Sequence, residues 1–264
     1  MEYSESMDRD TGKIQMFRTE RHSQIIAYIE KQGRASVREL SMYLYASQST
    51  IRRDLSELEE QGILKRTHGG AILTAGNNYD TPAILRRCQN RTEKERIADI
   101  AERFLSPSTS YFFDSSTTSA ILASRAVKYP QTRIATNSLE IPSVLRECTD
   151  VSVVLCGGEL RSPWGEFTGS VTLHTIADMY ADTFFFSCGG FSLERGATEF
   201  RDENVAVKMA FLANSKHHIL LCDSSKFDQL FFYGSIRLED IDYVITDKCP
   251  KQAYVEMLGD KLLC

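Results

Sequence analysis

Six short apolar runs, separated by amphipathic stretches, constrain the fold of this chain more than any other feature. They are YFFD from Tyr111, RIAT from Arg133, VSVVLC from Val151, TFFFSC from Thr183, HHILLC from His217 and YVIT from Tyr243. The stretches between them carry helical spacing, as in EKERIADIAERFL, where Ile97, Ile100, Ala101 and Phe104 fall on one face. This alternation predicts a mostly parallel sheet covered on both faces, an α/β domain. Ligands of such sheets bind beyond the carboxyl ends of the strands, so the residues just after each run matter. YFFD ends in Asp114 and leads into Ser115, Ser116, Thr117 and Thr118 before a helix, which offers hydroxyls and backbone N–H groups to an anion. RIAT ends in Thr136 and is succeeded by Asn137 and Ser138, VSVVLC by Gly157, Gly158 and Glu159, and HHILLC by Asp223, Ser224, Ser225 and Lys226. Any one of these is also an ordinary turn, because Asp, Ser, Thr and Gly dominate loops for conformational reasons. Their convergence points to a binding site.

The first third of the chain is organised differently. RHSQIIAYIEKQGR places Ile25, Ile26 and Ile29 on one helical face and stops at Gly33. Ser36 and Glu39 form a capping box ahead of Val37, Leu40, Ser41 and Leu44, which predicts a short second helix ending near Tyr45. Ser47 can cap a third helix running to about Gln61, with Ile51, Leu55 and Leu58 as its apolar stripe and Gln48, Ser49, Arg52 and Arg53 off it near the start. Two helices joined by a turn of three or four residues let the second enter a major groove, where Arg reads guanine and Gln or Ser bonds other base edges. Gly62 closes the helix, and ILKRTHGGAIL reads as a hairpin around His68-Gly69-Gly70 that presents Lys65 and Arg66 to phosphates. The whole reads as a winged helix-turn-helix. An Arg-rich amphipathic helix alone is usually only a solvated face. Here the capping box, the turn spacing and the basic hairpin occur in register with it.

The segment STIRRDLSELEEQGILKRTHGGA closely resembles the N-terminal signature of DeoR-type bacterial transcriptional regulators, and the resemblance runs over about residues 20 to 264. It implies a flexible tail at 1–19, a winged helix-turn-helix domain at 20–75, a linker at 76–92, and an effector-binding and oligomerisation domain at 93–264. The larger domain is then of the ribose-5-phosphate isomerase and glucosamine-phosphate deaminase class. Expected DNA-binding residues are Ser36, Ser47, Gln48, Ser49, Thr50, Arg52, Arg53, Lys65, Arg66 and His68. Expected effector residues are Asp114, Ser115, Ser116, Thr117, Thr118, Thr136, Asn137, Ser138, Gly157, Gly158, Glu203, Asn204, Lys208 and Lys226. The partners implied are double-stranded operator DNA, a phosphorylated sugar or related small molecule, and further copies of the chain in a homodimer or homotetramer. The chain departs from the family pattern at Gln48, where Pro is common, and at Ser116 and Ser187, where Gly is common. Asn204 stands where a carboxylate is usual four residues before Lys208, Glu203 is displaced by one, and Met209 replaces an Arg. One helical position rotates a side chain by about 100°, so Glu203 is not expected to take the lost carboxylate's role.

Composition narrows the alternatives. A chain of 264 residues is long enough for two domains. With a net charge of −5, nucleic-acid contact must be local, and Arg18 to Gly70, with nine basic and seven acidic residues, is the basic part. No apolar run approaches the roughly 18 residues of a membrane span and the polar start lacks a signal-peptide core, so neither membrane association nor export is expected and the cytoplasm is the expected location. The seven cysteines, without CxxC spacing, read as buried thiols, and no metal site is expected. His22, His68, His174, His217 and His218 show no ligand spacing, and no catalytic residue or cofactor is expected. Trp164, in LRSPWGEFTG, reads either as a packing aromatic or as a side chain that closes over a ligand. The alternative to a regulator is a sugar-phosphate isomerase or deaminase with an accessory winged domain. It lacks a use for Arg52 and Arg53, and its proton-moving carboxylate is replaced by Asn204. A third reading is an architectural DNA-binding protein whose sensor has decayed.

Overall fold

The computed structural model describes residues 18–60, 62–73 and 81–264, which fall into two compact units divided between Ala75 and Gly76. In the first unit the elements are α1 (Arg18–Gln32), β1 (Ala35–Ser36), α2 (Val37–Tyr43), α3 (Gln48–Glu60), β2 (Leu64–Thr67) and β3 (Gly70–Leu73). Ile25, Ile26 and Ile29 of α1, Leu40 of α2 and Ile51, Leu55 and Leu58 of α3 are fully buried, so the stripes seen in the sequence meet in one core. Ser36 caps α2 through a complete capping box, and the Ser47 hydroxyl accepts the Thr50 N–H at 3.1 Å to start α3. Gly62, with φ of +72°, turns the chain out of α3 into β2. The three strands form an antiparallel sheet in the order β1-β3-β2, with Ala35 opposite Ala71. A side chain at Gly70 would put its Cβ 2.1 Å from the Ala35 carbonyl oxygen, so only glycine lets the hairpin close on β1.

The second unit contains α4 (Ala83–Cys88), α5 (Arg91–Ala101), β4 (Ser110–Phe113), α6 (Thr117–Ser124), β5 (Thr132–Thr136), α7 (Glu140–Leu145) and β6 (Val151–Leu155). The hairpin β7 (Glu159–Arg161) and β8 (Glu166–Thr168) comes next, then α8 (Ser170–Ala177), β9 (Ala181–Phe186), β10 (Gly190–Ser192), β11 (Gly196–Glu199) and α9 (Asp202–Ala213). The chain ends through β12 (Ser215–Leu221), β13 (Tyr233–Gly234), β14 (Tyr243–Ile245), α10 (Gln252–Leu258) and β15 (Leu262–Leu263). Seven strands make a parallel sheet in the order β15-β14-β12-β9-β4-β5-β6, and the six apolar runs are six of them. One face packs Phe112, Phe184, Phe186 and Leu220 against Phe211 of α9, and the other packs Phe113, Phe185 and Ile219 with Ile97 of α5 and Leu122 of α6. In the central strands β4, β9 and β12 alternate residues feed opposite cores, which is why those runs are apolar on both faces, whereas edge strand β6 packs only one face, through Val151 and Val153.

The structure differs from the sequence expectations in three places. Of the stretch expected as a tail, Arg18 and Thr19 already belong to α1, and residues 1–17 lie outside the described residues. The stretch expected as a linker holds α4 and the start of α5, because Leu85 is buried and Lys94 donates to the Arg86 and Gln89 carbonyls at 2.5 and 2.6 Å. The cysteines are not uniformly buried thiols. Cys249 and Cys264 form a disulfide, since β15 returns beside β14 and brings the last residue back to the loop before α10; Cys88 and Cys148 are partly exposed, and Cys156, Cys188 and Cys222 are buried.

Candidate functional site

At the start of α3 the hydroxyls of Ser47, Ser49 and Thr50 cluster within 2.8 Å hydrogen bonds. Arg52 and Arg53 are exposed one turn further on, and Arg52 touches Gln48 Oε1 only weakly at 3.4 Å. The apolar stripe faces α1 and α2, which leaves this polar set outward. Lys65 and His68 are exposed on the wing, and Arg66 is tied back to α3 by its bond to the Ser56 hydroxyl at 3.0 Å. Ser36 is committed to its cap, its hydroxyl accepting the Glu39 N–H at 3.2 Å. His22, Asp54 and Glu57 offer ligand atoms within 4.8 Å of one another. Their carboxylates are already engaged: Arg21 donates twice to Asp54, at 2.5 and 2.9 Å, and Arg18 lies 2.5 Å from Glu57. An ion-pair network fastening α3 to α1 is the use this geometry shows.

In the second unit, β5 and β6 extend the sheet to one side of β4, while β9, β12, β14 and β15 extend it to the other. The strand order therefore reverses between β4 and β9, and the crevice outside their carboxyl ends is where an open α/β sheet binds ligands. Asp114 follows β4 there and Ser187 follows β9. Asp114 is buried and accepts from Ser187 N at 3.0 Å, Ser119 Oγ at 2.6 Å and Ser116 N at 3.1 Å. Lys208, reaching in from α9, lies 3.0 Å from Asp114 Oδ2 and donates to Glu199 Oε1 at 2.6 Å and to the Ser187 carbonyl. Burial works against the charged form of Asp114, but the Lys208 ammonium and these hydrogen bonds outweigh it and hold its pKa below the usual aspartate value. Burial also opposes the Lys208 charge, yet Glu199 and Asp114 carry its pKa above the ordinary lysine value. Lys226, following β12, donates to Ser187 Oγ at 2.8 Å and lies 3.6 Å from Asp223, whose pKa is lowered against its burial by that ammonium. Ser187, one of the departures from the family pattern, thus joins Asp114, Lys208 and Lys226 through its N–H, carbonyl and hydroxyl.

Beside this cluster, Ser115 donates to Glu166 Oε2 at 2.8 Å, and the loop after β5 runs against β8 through a Ser138–Glu166 bridge. Burial raises the pKa of Glu166, opposed by the Ser115 bond and the charges of Arg86 and Lys208. The Arg201 guanidinium stacks 3.4 Å from the centre of the Trp164 ring, and Arg86 donates to the Trp164 carbonyl at 3.2 Å. Trp164, on a short turn between β7 and β8, therefore packs beneath a cation at the edge of this region. Ser116 caps α6 by accepting the Ser119 N–H at 3.1 Å, and Thr117 and Thr118 are buried in its first turn. Thr136 and Ser138 use their hydroxyls to accept from Ser138 N at 3.0 Å and Glu140 N at 3.2 Å, shaping the turn into α7.

Other expected residues lie apart from the cluster. Gly157 and Gly158 serve packing: Thr172 donates to the Gly157 carbonyl at 2.8 Å, and a Cβ at Gly158 would fall 2.3 Å from Thr172 Oγ1. Glu203 pairs with Arg161 instead of Lys208, Asn204 is partly exposed on α9, and Met209 is exposed. Lys208 has a carboxylate partner all the same, Glu199 of β11, which the sequence reading did not single out. Sequence reasoning missed Glu199, Glu166, Arg86, Arg201 and Lys94. The available signal was an acidic residue inside a short apolar strand, in GATE and in GEFT.

The structure thus joins a winged helix-turn-helix, a DNA-binding module, to an α/β unit with a polar cluster at its topological switch point. Residues 21–75 match the DeoR-like helix-turn-helix domain and residues 89–248 match the DeoR C terminal sensor domain. The chain belongs to the DeoR family of transcriptional regulators. It is 35% identical to the glycerol-3-phosphate regulon repressor of Escherichia coli (strain K12), over 93% of this chain and 97% of that one. It is 31% identical to the HTH-type transcriptional regulator GolR of Listeria innocua, over 93% and 96%, and 29% identical to the HTH-type transcriptional repressor GlcR of Bacillus subtilis (strain 168), over 92% and 93%. Among solved structures, ribose 5-phosphate isomerase A from Methanocaldococcus jannaschii aligns with a TM-score of 0.39 at 11% identity, over 53% of this chain and 55% of that one. The family makes the chain a regulator and not an enzyme. Among the described residues no helix is long and apolar enough to cross a membrane.

Proposed function

We propose that the chain represses a carbohydrate-metabolism operon and releases its operator when a phosphorylated small metabolite occupies the carboxyl edge of the parallel sheet. The observation that carries this reading is the polar cluster at the β4/β9 switch point in a chain whose other unit exposes Arg52 and Arg53 at the start of a recognition helix. Ser47, Gln48, Ser49, Thr50, Arg52 and Arg53 then face the major groove, while Lys65, Arg66 and His68 meet the backbone. The phosphate sits at the start of α6, beside Ser115 to Thr118, where the helix dipole favours an anion. Lys226 and Arg86 add positive charge. Lys208 is already balanced by two carboxylates, so its part is to hold Asp114, Ser187 and Glu199 in place. The similarity to the E. coli repressor makes glycerol-3-phosphate the first effector to test. Two-fold operators pair with two-fold proteins, so the working form is a homodimer or homotetramer, acting in the cytoplasm.

Fluorescence anisotropy on a fragment of the chain's own promoter, with and without phosphorylated compounds, tests the reading. A ligand that weakens DNA binding must itself be weakened by DNA by the same factor, about 5 to 150-fold for a typical coupling. Lys226→Ala and Thr117→Ala are expected to lose most of the ligand response while keeping ligand-free DNA affinity. Equal ligand affinity with and without operator would remove the effector from the mechanism.

A further inference from the structure

Four buried polar atoms beside the switch point lack a hydrogen-bond partner among the described residues: Glu166 Oε1, Asn137 Oδ1 and Trp164 Nε1 on adjoining loops, and Arg86 Nε on the side chain that donates to the Trp164 carbonyl. Native interiors pair the large majority of such atoms, so three on adjoining segments call for an explanation. The segments do adjoin. Phe167 N donates to the Asn137 carbonyl at 2.9 Å, Leu139 N donates to the Gly165 carbonyl at 2.9 Å, and Ser138 bridges to Glu166 between them. Glu166 is 1% exposed and Asn137 3%. The Ser115 hydroxyl occupies Glu166 Oε2 at 2.8 Å, while Oε1 lies 3.9 Å from the Arg201 guanidinium, too far for a hydrogen bond. Asn137 Nδ2 donates to the Phe167 carbonyl at 3.0 Å, which fixes the amide's orientation and leaves the oxygen as the unmatched end. The unmet groups are therefore two acceptors, Glu166 Oε1 and Asn137 Oδ1, and two donors, the Trp164 indole and Arg86 Nε, and it is the two acceptors that require a hydroxyl.

We infer that Glu166 and Asn137 read hydroxyl groups of the ligand, so that the site accepts a phosphorylated polyol and rejects the corresponding ketone phosphate. The inference rests on the reading of this edge as a phosphorylated-metabolite site and adds its selectivity. A hydroxyl donates to a carboxylate or amide oxygen and still accepts from the Trp164 N–H. A ketone oxygen only accepts, so it would face the Glu166 and Asn137 oxygens with lone pairs opposed and leave both unsatisfied. Sites built to bond a hydroxyl discriminate strongly against analogues without it, because their own buried groups are then left unpaired. The stacked Arg201–Trp164 pair holds the indole in place and sets a cation near Oε1, which supports the acceptor state of Glu166.

Calorimetric titration of the full chain with two matched pairs tests this: glycerol-3-phosphate against dihydroxyacetone phosphate, and xylitol-5-phosphate against xylulose-5-phosphate, whose esterified O5 keeps its ketone open-chain. The polyol of at least one pair is expected to bind more than about tenfold more tightly than its ketone. Glu166→Gln presents an amide that can donate to a ketone oxygen, and it is expected to narrow or reverse that ratio. Lys226→Ala is expected to weaken both members of a pair and leave the ratio unchanged. Equal affinities within every pair that binds, or a ratio unmoved by Glu166→Gln, would overturn the selectivity while leaving the phosphate reading intact. Failure of all four compounds to bind would overturn both.

Discussion

Asp54, on the helix that carries Arg52 and Arg53, is fully buried and accepts two hydrogen bonds from the Arg21 guanidinium of α1, at 2.5 and 2.9 Å. The exposed arginines proposed to meet DNA and the buried group that anchors the helix are therefore sequence neighbours on α3. Breaking a buried ion pair from one side leaves an uncompensated charge, at a cost of about 3 to 5 kcal/mol. Asp54→Ala should lower the melting temperature of the helix-turn-helix unit and, through it, DNA affinity. Calorimetric scanning of the full chain checks this, and an unchanged thermogram would show that the pair does not hold α3.

Arg52→Ala and Arg53→Ala should behave in the opposite way. Both side chains are exposed and off the apolar stripe, so stability should stay within about 0.5 kcal/mol of the parent. Loss of a base-reading arginine should cost about 1 to 3 kcal/mol of operator binding. Lys65→Ala should instead weaken binding evenly across sequences and reduce the salt slope by about 0.9. Anisotropy titrations at several salt concentrations separate the two behaviours.

The acidic groups of the sensor unit predict opposite pH responses. Asp114 has a pKa below its unfolded value, so its stabilisation is fully present above the ordinary aspartate range and is lost as pH falls through the depressed folded value. Glu166 has a raised pKa, so the folded state binds its proton more readily, and this group favours folding more as pH falls through its folded value. At neutral pH, where the buried carboxylate costs stability, Glu166→Gln should raise the melting temperature of the ligand-free protein by about 2–4 °C for each kcal/mol relieved. Thermal melts of both proteins from acid to neutral pH should show that gain shrinking on acidification. A gain that stayed constant with pH would mean that the Glu166 charge is not its source.

Lys208→Met should be strongly destabilising, because Asp114 and Glu199 would then share a buried space without their cation. The expected loss is about 3 to 5 kcal/mol, which denaturant unfolding of the full chain would read. Asn204→Glu should do little to this cluster, since Glu199 already occupies the lysine. A large change in stability or ligand preference from that variant would show that α9 approaches the site more closely than these contacts indicate.

The sequence by itself determined the elements whose signals are local. Ile25, Ile29, Leu40, Ile51, Leu55 and Leu58 recur at helical spacing, Ser36 and Glu39 cap one helix and Gly62 ends another, and six apolar runs mark six of the seven parallel strands, because periodicity and capping depend only on neighbours a few residues away. The tertiary structure alone decided which charges meet. Ser115 reaches Glu166 across 51 residues, Ser187 reaches Asp114 across 73, and Lys208 takes Glu199 from a β-hairpin in place of Asn204 one turn before it. Helical spacing shows that no carboxylate stands four residues before Lys208, at Asn204, but it cannot show which carboxylate partners that lysine. The partner comes from a strand folded over that helix, and only the packing of the sheet sets that distance.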